Sequence, residues 1–522
     1  MSAPSAESSA AFRRALPDDL AALLRLGFAG KSHLLDVAGR CLRPGRENLV
    51  PVASDALRTL TADNPLDGGL AAELLASERT SVLLEPAARA MLRGLAAHWR
   101  RPSDPSPLID ALTARDFQRT AAFLDKAVRQ EPGNLFWREQ VLTVGAVENA
   151  PDFVFRLLEA DGPEDARPAL RNAAKRVHEL FSPREAPSAE SLLEAARLTP
   201  WNTNLALRAH DAVSGAAEAR APLPGRAAVL LYSWNKADEL DATLQCLLAS
   251  DLNGASVFVL DNGSTDSTGA VLSRMETRFA ATLSADRFTT VSLPVNIGAA
   301  AARNWLLSLE AVRANEFICY LDDDVELPSD WLQRLGAAVS RYPEAGVWGC
   351  KVVDHANPLC IQSADSHLRL DPAERADLTR LAPNPFGLTD LHIQTLDTGA
   401  FDFMRPCASV TGCCHLFRTG ALLDSGGFAI QLSPSQYDDM EHDLRLCEAR
   451  RFPVYQGHLA VRHKKRTGSA SHTSRQELGN ALGNKYKMQT MHTRADIAAA
   501  MEAEQTLLEA DLLRKLEYLD SF

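Results

Sequence analysis

Three consecutive carboxylates, Asp322-Asp323-Asp324, follow the apolar run Phe317-Ile-Cys-Tyr-Leu321. Packed like charges repel, and a cation makes them tolerable. Hard divalent ions take one or two carboxylates together with substrate phosphates. A solvated acidic turn is the alternative, but most such turns do not hang on an apolar strand. A second apolar run, Ser256-Val-Phe-Val-Leu260, leads into Asp261-Asn262-Gly263-Ser264-Thr265-Asp266. A carboxylate at that tip can accept hydrogen bonds from a base or a ribose, and Gly263 permits a tight turn. Read alone, this is equally a turn capped by Asp and Asn. A third cluster is Tyr437-Asp438-Asp439-Met-Glu441. If a helix starts near Asp438, its N-terminus favours anions, with Asp438 as the cap and Asp439 placed to act as a general base. An ordinary acidic first turn reads the same way. Last, Val461-Arg-His463-Lys464-Lys465-Arg466 ends an apolar segment. His463 there can complete a metal site, and its basic neighbours can neutralise a diphosphate.

These clusters must be held by elements. After residue 225, short β-branched and aromatic runs alternate with helical patterns. Ala227–Tyr232, Ser256–Leu260, Thr289–Leu293, Phe317–Leu321 and Val347–Val353 read as strands, with helices at Leu240–Leu248 and Ala299–Ala314 between them. Such alternation predicts an α/β domain with a mostly parallel sheet flanked by helices. Ligands of these sheets bind beyond the carboxyl ends of the strands, where the first two clusters sit.

Residues 1–220 read as an all-helical domain, with apolar residues at three- and four-residue spacing. Leu124-Asp-Lys-Ala-Val-Arg-Gln-Glu-Pro-Gly-Asn134 is echoed 68 residues later by Leu192-Leu-Glu-Ala-Ala-Arg-Leu-Thr-Pro-Trp-Asn202. Twice a 34-residue period fits tetratricopeptide-like repeats, and an irregular helical bundle fits equally. Pro-rich breaks occur at Ser182–Ser188 and Ala221–Gly225, and the second is taken as the domain boundary. The α/β domain then spans 226–490. A final helix occupies 491–522, with Leu507, Leu508, Leu512, Leu513 and Leu516 as its apolar stripe.

The net charge of −12 argues against nucleic acid as a partner. The nine cysteines are scattered and form no CxxC pair, so neither a zinc knuckle nor a disulfide framework is suggested, and a reducing compartment is the better reading. Adjacent Cys413 and Cys414 read as small apolar filler. No secretory leader and no run of 18 apolar residues is seen, so a cytoplasmic chain without a transmembrane segment is expected.

In order and spacing, these motifs together resemble the family-2 glycosyltransferases, inverting enzymes of the GT-A fold. Val229-Leu-Leu-Tyr232-Ser-Trp-Asn235 is similar to the family's first strand and loop, with Tyr-Ser-Trp-Asn where Pro-x-Tyr-Asn is usual. Asp261–Asp266 is similar to the second-strand motif. Asn296-Ile-Gly298, running on to Arg303-Asn304, resembles the Asn-x-Gly…Ala-Arg-Asn segment. Asp322-Asp323-Asp324 resembles the DxD motif. Thr411-Gly412, followed by Gly426-Gly427-Phe428, resembles the acceptor-side segment. Asp438-Asp439-x-Glu441 resembles the acidic motif that supplies the base, with Asp438 where Glu is common. The resemblance covers about residues 226–466.

It implies a nucleotide-diphosphate sugar donor held by Tyr232, Asn235, Asp261, Asn262, Asn296, Gly298, Arg303, Asp322 and Asp323. It implies Mn²⁺ or Mg²⁺ held by Asp324, His463 and Asp322, with Asp439 as catalytic base. Thr411, Gly412, Asp438 and Glu441 fall on the acceptor side. The acceptor is left open among a glycan, a lipid-linked sugar and a protein. Two other readings remain. A nucleotidyltransferase on a similar fold would want a Gly-rich phosphate loop with a basic residue, and the first loop offers Lys236. A nucleotide-sugar-binding scaffold would pair the repeats with an inactive domain.

Overall fold

The computed structural model describes residues 8–27, 30–114, 116–158, 162–182, 186–370, 386–389, 396–465 and 474–522. Arg466 and the segment 183–185 of the first Pro-rich break lie outside them.

The α/β part contains twelve strands among the described residues. They are β1 Ala227–Ser233, β2 Ser256–Asp261, β3 Phe288–Ser292, β4 Phe317–Leu321, β5 Val325–Glu326, β6 Val347–Asp354, β7 Ile361–Ser363, β8 His367–Leu370, β9 Phe386–Thr389, β10 Met404–Pro406, β11 Cys414–Arg418 and β12 Val454–His463. The five strands read from the sequence lie within a residue or two of β1, β2, β3, β4 and β6. The runs of β1, β2, β4 and β6 are largely apolar because both faces are covered, and β4 is buried at all five positions, whereas the edge strand β3 is buried only at Phe288.

The main sheet runs β10-β12-β6-β11-β4-β1-β2-β3. The expected parallel arrangement holds for β3-β2-β1-β4. Beyond β4 the sheet is mixed: β11 is antiparallel to β4 and β6, and β12 is parallel to β6. Two apolar layers cover it, one built around Leu231, Leu240, Leu244, Met275 and Trp331, the other around Leu230, Leu306, Tyr320, Phe417 and Phe428. Each fully buried side chain of this size contributes about 1.5–3 kcal/mol. The helices between strands are Ala237–Ala249, Thr268–Thr282 and Ala299–Ser308. The last ends at Ser308, short of the expected Ala314, and a separate turn Glu310–Arg313 follows.

The described residues fall into two compact units. One holds Leu16–Pro187 with Gln394–Thr398; the other holds the chain up to Ala15, Ser188–Ile393 and Gly399–Phe522. The first is helical from Asp18–Arg25 to Arg167–Phe181. In it, Trp99 Nε1 donates to Glu139 Oε2 at 2.6 Å. Burial pushes the Glu139 carboxyl up to about 7, against the pull of that hydrogen bond.

The 68-residue echo encodes a local device. Asn134 caps the helix Leu135–Val147 by accepting from Phe136 N, and Asn202 caps Thr203–Val213 by accepting from Leu205 N. The two copies belong to different units.

We place the division near Ser188 and not at 220. The helices Ala189–Leu198 and Thr203–Val213 belong to the unit of the sheet. Asp211, fully buried, accepts from Met404 N at 2.7 Å and pairs with His458 at 2.9 Å. Leu192, Ala196 and Ala209 pack on Leu519. The C-terminal helix, Arg494–Asp520, differs from its expected stripe: Leu507 is exposed, and the buried face carries Glu504, Leu508, Asp511, Leu512, Lys515 and Leu516. Those charges have partners. Glu504 accepts from Leu368 N at 2.9 Å, and Asp511 pairs with Lys515 at 2.8 Å.

A chain starting at Ala221 loses Asp211 and uncovers Leu519. Removing one partner from a buried charge network costs about 3–5 kcal/mol, so this chain is expected to be insoluble. One starting at Ser188 keeps Asp211 and the cover on Leu519, loses the Arg13–Glu509 pair, and is expected to be soluble with a lowered thermal midpoint. Equal solubility of the two truncations contradicts this boundary.

Candidate functional site

The carboxyl ends of β1, β2 and β4 bring Tyr232, Asp261 and Asp322 to one edge of the sheet, as their pairing registers require. The loops after β1 and β2 are tied together. Asn235, at φ 52, accepts from Thr265 N at 2.7 Å, and its own N–H donates to Ser264 Oγ at 3.0 Å. Asp261 Oδ1 accepts from Ser264 N at 2.9 Å. Gly263 sits at φ 77, where a Cβ would lie 2.4 Å from the Val295 carbonyl carbon. Asn262 is spent internally: it donates to Asn296 Oδ1 at 3.0 Å and accepts from Ile297 N at 3.0 Å. Asn296 Oδ1 also accepts from Gly298 N at 2.8 Å. Asn262 and Asn296 therefore fix the loops, and Gly298, at φ 83, opens the helix Ala299–Ser308.

The three carboxylates after β4 are held differently. Asp323 and Asp324 are buried, and each lies 3.0 Å from Lys236 Nζ. Asp324 also lies 3.0 Å from His463 Nε2. Burial opposes ionisation of Asp324, but His463 and Lys236 outweigh it and hold this carboxyl below the usual range. Burial likewise works against the charge of His463, and Asp324 and Asp322 raise it. Asp322 is half-exposed, 3.8 Å from His463 Nε2 and 3.9 Å from Arg303. The ring of His463 is oriented from behind. Gln362 Nε2 donates to the Lys465 carbonyl at 3.0 Å, so its Oε1 accepts from His463 Nδ1 at 2.8 Å. That leaves Nε2 facing the carboxylates.

The residues present fit a divalent cation. Among the described residues, donor atoms of Asp322, Cys413 and His463 all lie within 4.8 Å of one another. Asp324 is next to them, with its Oδ1 buried and lacking an aligned hydrogen-bond donor. Carboxylate and imidazole donors suit such ions. Cys413, expected as apolar filler, instead lines the carboxylate cluster with its sulfur.

The third cluster opens the helix Asp438–Glu448. Its cap is Tyr437, and Asp438 is already inside the helix, a correction to the expected cap. Gln436 and Tyr437 both have positive φ, at 82° and 71°. For non-glycine residues this costs about 1–3 kcal/mol each and persists only where the surroundings impose it. Asn484, on the helix Arg475–Met491, does part of that by donating to the carbonyls of Leu432 and Ser435 at 2.5 and 2.8 Å. No sequence pattern marks Asn484.

The four acids of the first two turns of this helix are not equivalent. Asp438 is buried and paired with Arg303 at 2.6 Å. Glu441 is buried and paired with Arg445 at 3.0 Å. Asp443 is fully buried and accepts from Ser409 Oγ and Val410 N, at 3.0 and 2.9 Å. Asp439 alone is half-exposed. Its Oδ2 accepts from Gly412 N at 2.8 Å and its Oδ1 from Met440 N at 2.8 Å. A Cβ at Gly412 would lie 2.7 Å from Arg303 Nη2 and 2.9 Å from Asp439 Oδ2, so any larger residue displaces one of these two side chains. Thr411 Oγ1 donates weakly to Cys413 Sγ at 3.8 Å. Arg303 joins the two halves: its guanidinium reaches Asp438 and Asp322 and lies 5.5 Å from the Tyr232 ring.

Among the described residues no helix is long and apolar enough to cross a membrane. Residues 228–418 match the family model described as Glycosyl transferase family 2. Among solved structures, the chain is similar to GalNAc-T7 with UDP, GalNAc and Mn²⁺, at 11% identity and a TM-score of 0.38, over 51% of this chain and 48% of that one. It is similar to S. aureus TarS at 16% and 0.31, over 46% and 36%. It is similar to the mannosyltransferase PcManGT from Pyrobaculum calidifontis, in complex with GDP-Man and Mn²⁺, at 15% and 0.33, over 64% and 92%. The chain thus spans about half the length of the first of these and about a third of the second. No curated protein matches it.

Proposed function

We propose, on the premise that residues 228–418 are the glycosyl transferase family 2 domain they match, that this protein moves a sugar from a nucleotide-diphosphate donor to an acceptor hydroxyl with inversion. The observation that carries this reading is the half-exposed carboxylate of Asp439 at the start of its helix, with Arg303 reaching from the neighbouring Asp438 to Asp322 of the cation-donor cluster.

Asp261, at the tip of β2, accepts a hydrogen bond from the base or ribose, and Tyr232 and Asn235 border it. Asp322, Asp324 and His463 hold a divalent ion, Mn²⁺ or Mg²⁺. Bound there, the ion supplies charge stabilisation to the diphosphate leaving group. Lys236, already paired with Asp323 and Asp324, adds a positive charge on the same side.

Asp439 takes the acceptor hydroxyl's proton on its carboxylate, and the oxygen so activated attacks the anomeric carbon opposite the leaving diphosphate. The Gly412 N–H keeps that carboxylate in place. Asp438 and Glu441, both spent on arginines, position the helix. Thr411 and Gly412 border the acceptor, which is a glycan, a lipid-linked sugar or a protein. The helical unit, read as tetratricopeptide-like, is the part available to recruit it, and the chain works in the cytoplasm.

The direct test is thermal stabilisation by UDP, GDP, CDP and dTDP with Mn²⁺ present and absent. One nucleotide is expected to raise the midpoint only when the ion is present, because a ligand of the native state alone stabilises it. At 100 times its Kd the shift corresponds to about 2.7 kcal/mol. No shift with any nucleotide at millimolar concentration contradicts the reading.

A further inference from the structure

The proposed cation site rests on two carboxylates and an imidazole, yet a fourth side chain reaches it. We propose that Cys413 Sγ is a protein donor to that cation, and that it biases the site toward divalent ions that accept sulfur, such as Zn²⁺ and Co²⁺, over Mg²⁺. The inference rests on the cation reading of the previous subsection.

Cys413 precedes β11, whose Cys414 pairs with Leu321 of β4. That antiparallel register continues by one residue: the Asp322 N–H donates to the Cys413 carbonyl at 3.1 Å. Cys413 and Asp322 are therefore cross-strand neighbours, and such neighbours place their side chains together. His463 arrives from the end of β12. The result is one carboxylate oxygen, one thiol sulfur and one imidazole nitrogen within 4.8 Å of one another.

Bonds of about 2.0–2.3 Å to a common ion put its donors about 3–4.5 Å apart, so small side-chain movements close the set. Two further observations point to a ligand. Asp324, only 3% exposed, keeps a buried Oδ1 with no aligned donor although His463 Nε2 is 3.0 Å away. Gln362 fixes His463 so that Nε2 faces the carboxylates.

The sulfur of Cys413 accepts weakly from Thr411 Oγ1 at 3.8 Å, and its thiol is hydrogen-bonded to Asp322, contacts that a bound cation would replace. On binding, the S–H bond breaks, the sulfur–metal bond forms, and the proton passes to solvent. Thiolate is a soft ligand and disfavours Mg²⁺, which prefers oxygen.

The test uses the full chain and Co²⁺. Wild-type protein should show the visible d–d bands of bound Co²⁺ and, in the near ultraviolet, thiolate-to-metal charge transfer. Cys413→Ala should keep the first and lose the second. Cys413→Ser, which keeps the volume, should do the same and guards against a folding defect. Loss of a partner behind a ligand already costs roughly 10–100-fold in metal affinity. The two variants should lose at least that for Zn²⁺ and change little for Mg²⁺.

Visible bands without charge transfer in the wild type, or charge transfer that survives in both variants, overturns the role of Cys413 and leaves the cation site standing. No Co²⁺ bands in the wild type, with Asp324→Ala as the control, overturns the cation reading itself and this inference with it.

Discussion

Asp439→Asn is expected to lose about 10²–10⁴-fold in transfer rate with donor affinity unchanged, the range over which a general base contributes. Asparagine keeps an oxygen for the Gly412 N–H, so the geometry survives and the proton acceptor does not. The neighbouring acids should behave otherwise. Asp438→Ala strands the buried Arg303, and breaking a buried pair costs about 3–5 kcal/mol. Its signature is a fall in melting temperature. Glu441→Gln weakens the contact to Arg445 on the same helix and is expected to act on stability before rate. Steady-state kinetics of the three variants, with melting temperatures alongside, separates the roles. Normal turnover in Asp439→Asn and a dead Glu441→Gln means that the base is Glu441.

Asp324→Ala is expected to abolish the cation-dependent part of nucleotide binding, and a chelator should do the same to the wild type. One electrostatic contact to a developing charge contributes about 10²–10³ in rate, and Asp324 supports two of them, through the ion and through Lys236. Removing its carboxylate leaves Lys236 with Asp323 alone. Calorimetric titration of the nucleoside diphosphate, with and without Mn²⁺, reads the loss directly. Full activity of Asp324→Ala in EDTA sinks the assignment.

The parallel half of the sheet was legible because its inner strands are apolar runs ending abruptly in polar residues, as at Leu260-Asp261 and Leu321-Asp322. The acidic helix was legible to the residue, Asp438, although its cap was not. The left-handed conformation at Tyr437 that sets the entry angle follows from tertiary contacts, among them Asn484, and no local pattern encodes those. The antiparallel half was less visible. Its register brings Cys413 opposite Asp322, and a pairing between distant segments leaves no periodicity to read.

Polar residues also changed meaning with partners. Asn262 and Asn296 read as ligand contacts, and in the structure Asn262 Nδ2 also donates to Asn296 Oδ1, which ties their loops together. The C-terminal helix misled for the same reason. Its leucines predicted an apolar stripe, whereas Glu504, Asp511 and Lys515 are buried there with partners on the catalytic unit. The boundary expected at Ala221–Gly225 followed from proline content. Asp211, upstream of those prolines, is bonded into the unit of the sheet.

The central claim is that the chain breaks the bond between a sugar and a nucleoside diphosphate. The most direct measurement is release of nucleoside diphosphate from a panel of UDP-, GDP-, CDP- and dTDP-sugars by the full chain, followed by chromatography with Mn²⁺ present. One donor should yield nucleoside diphosphate and free sugar slowly, and Asp324→Ala should yield neither. If no donor is cleaved, and a nucleoside triphosphate with a sugar phosphate instead releases pyrophosphate, the protein is a nucleotidyltransferase and not a glycosyltransferase.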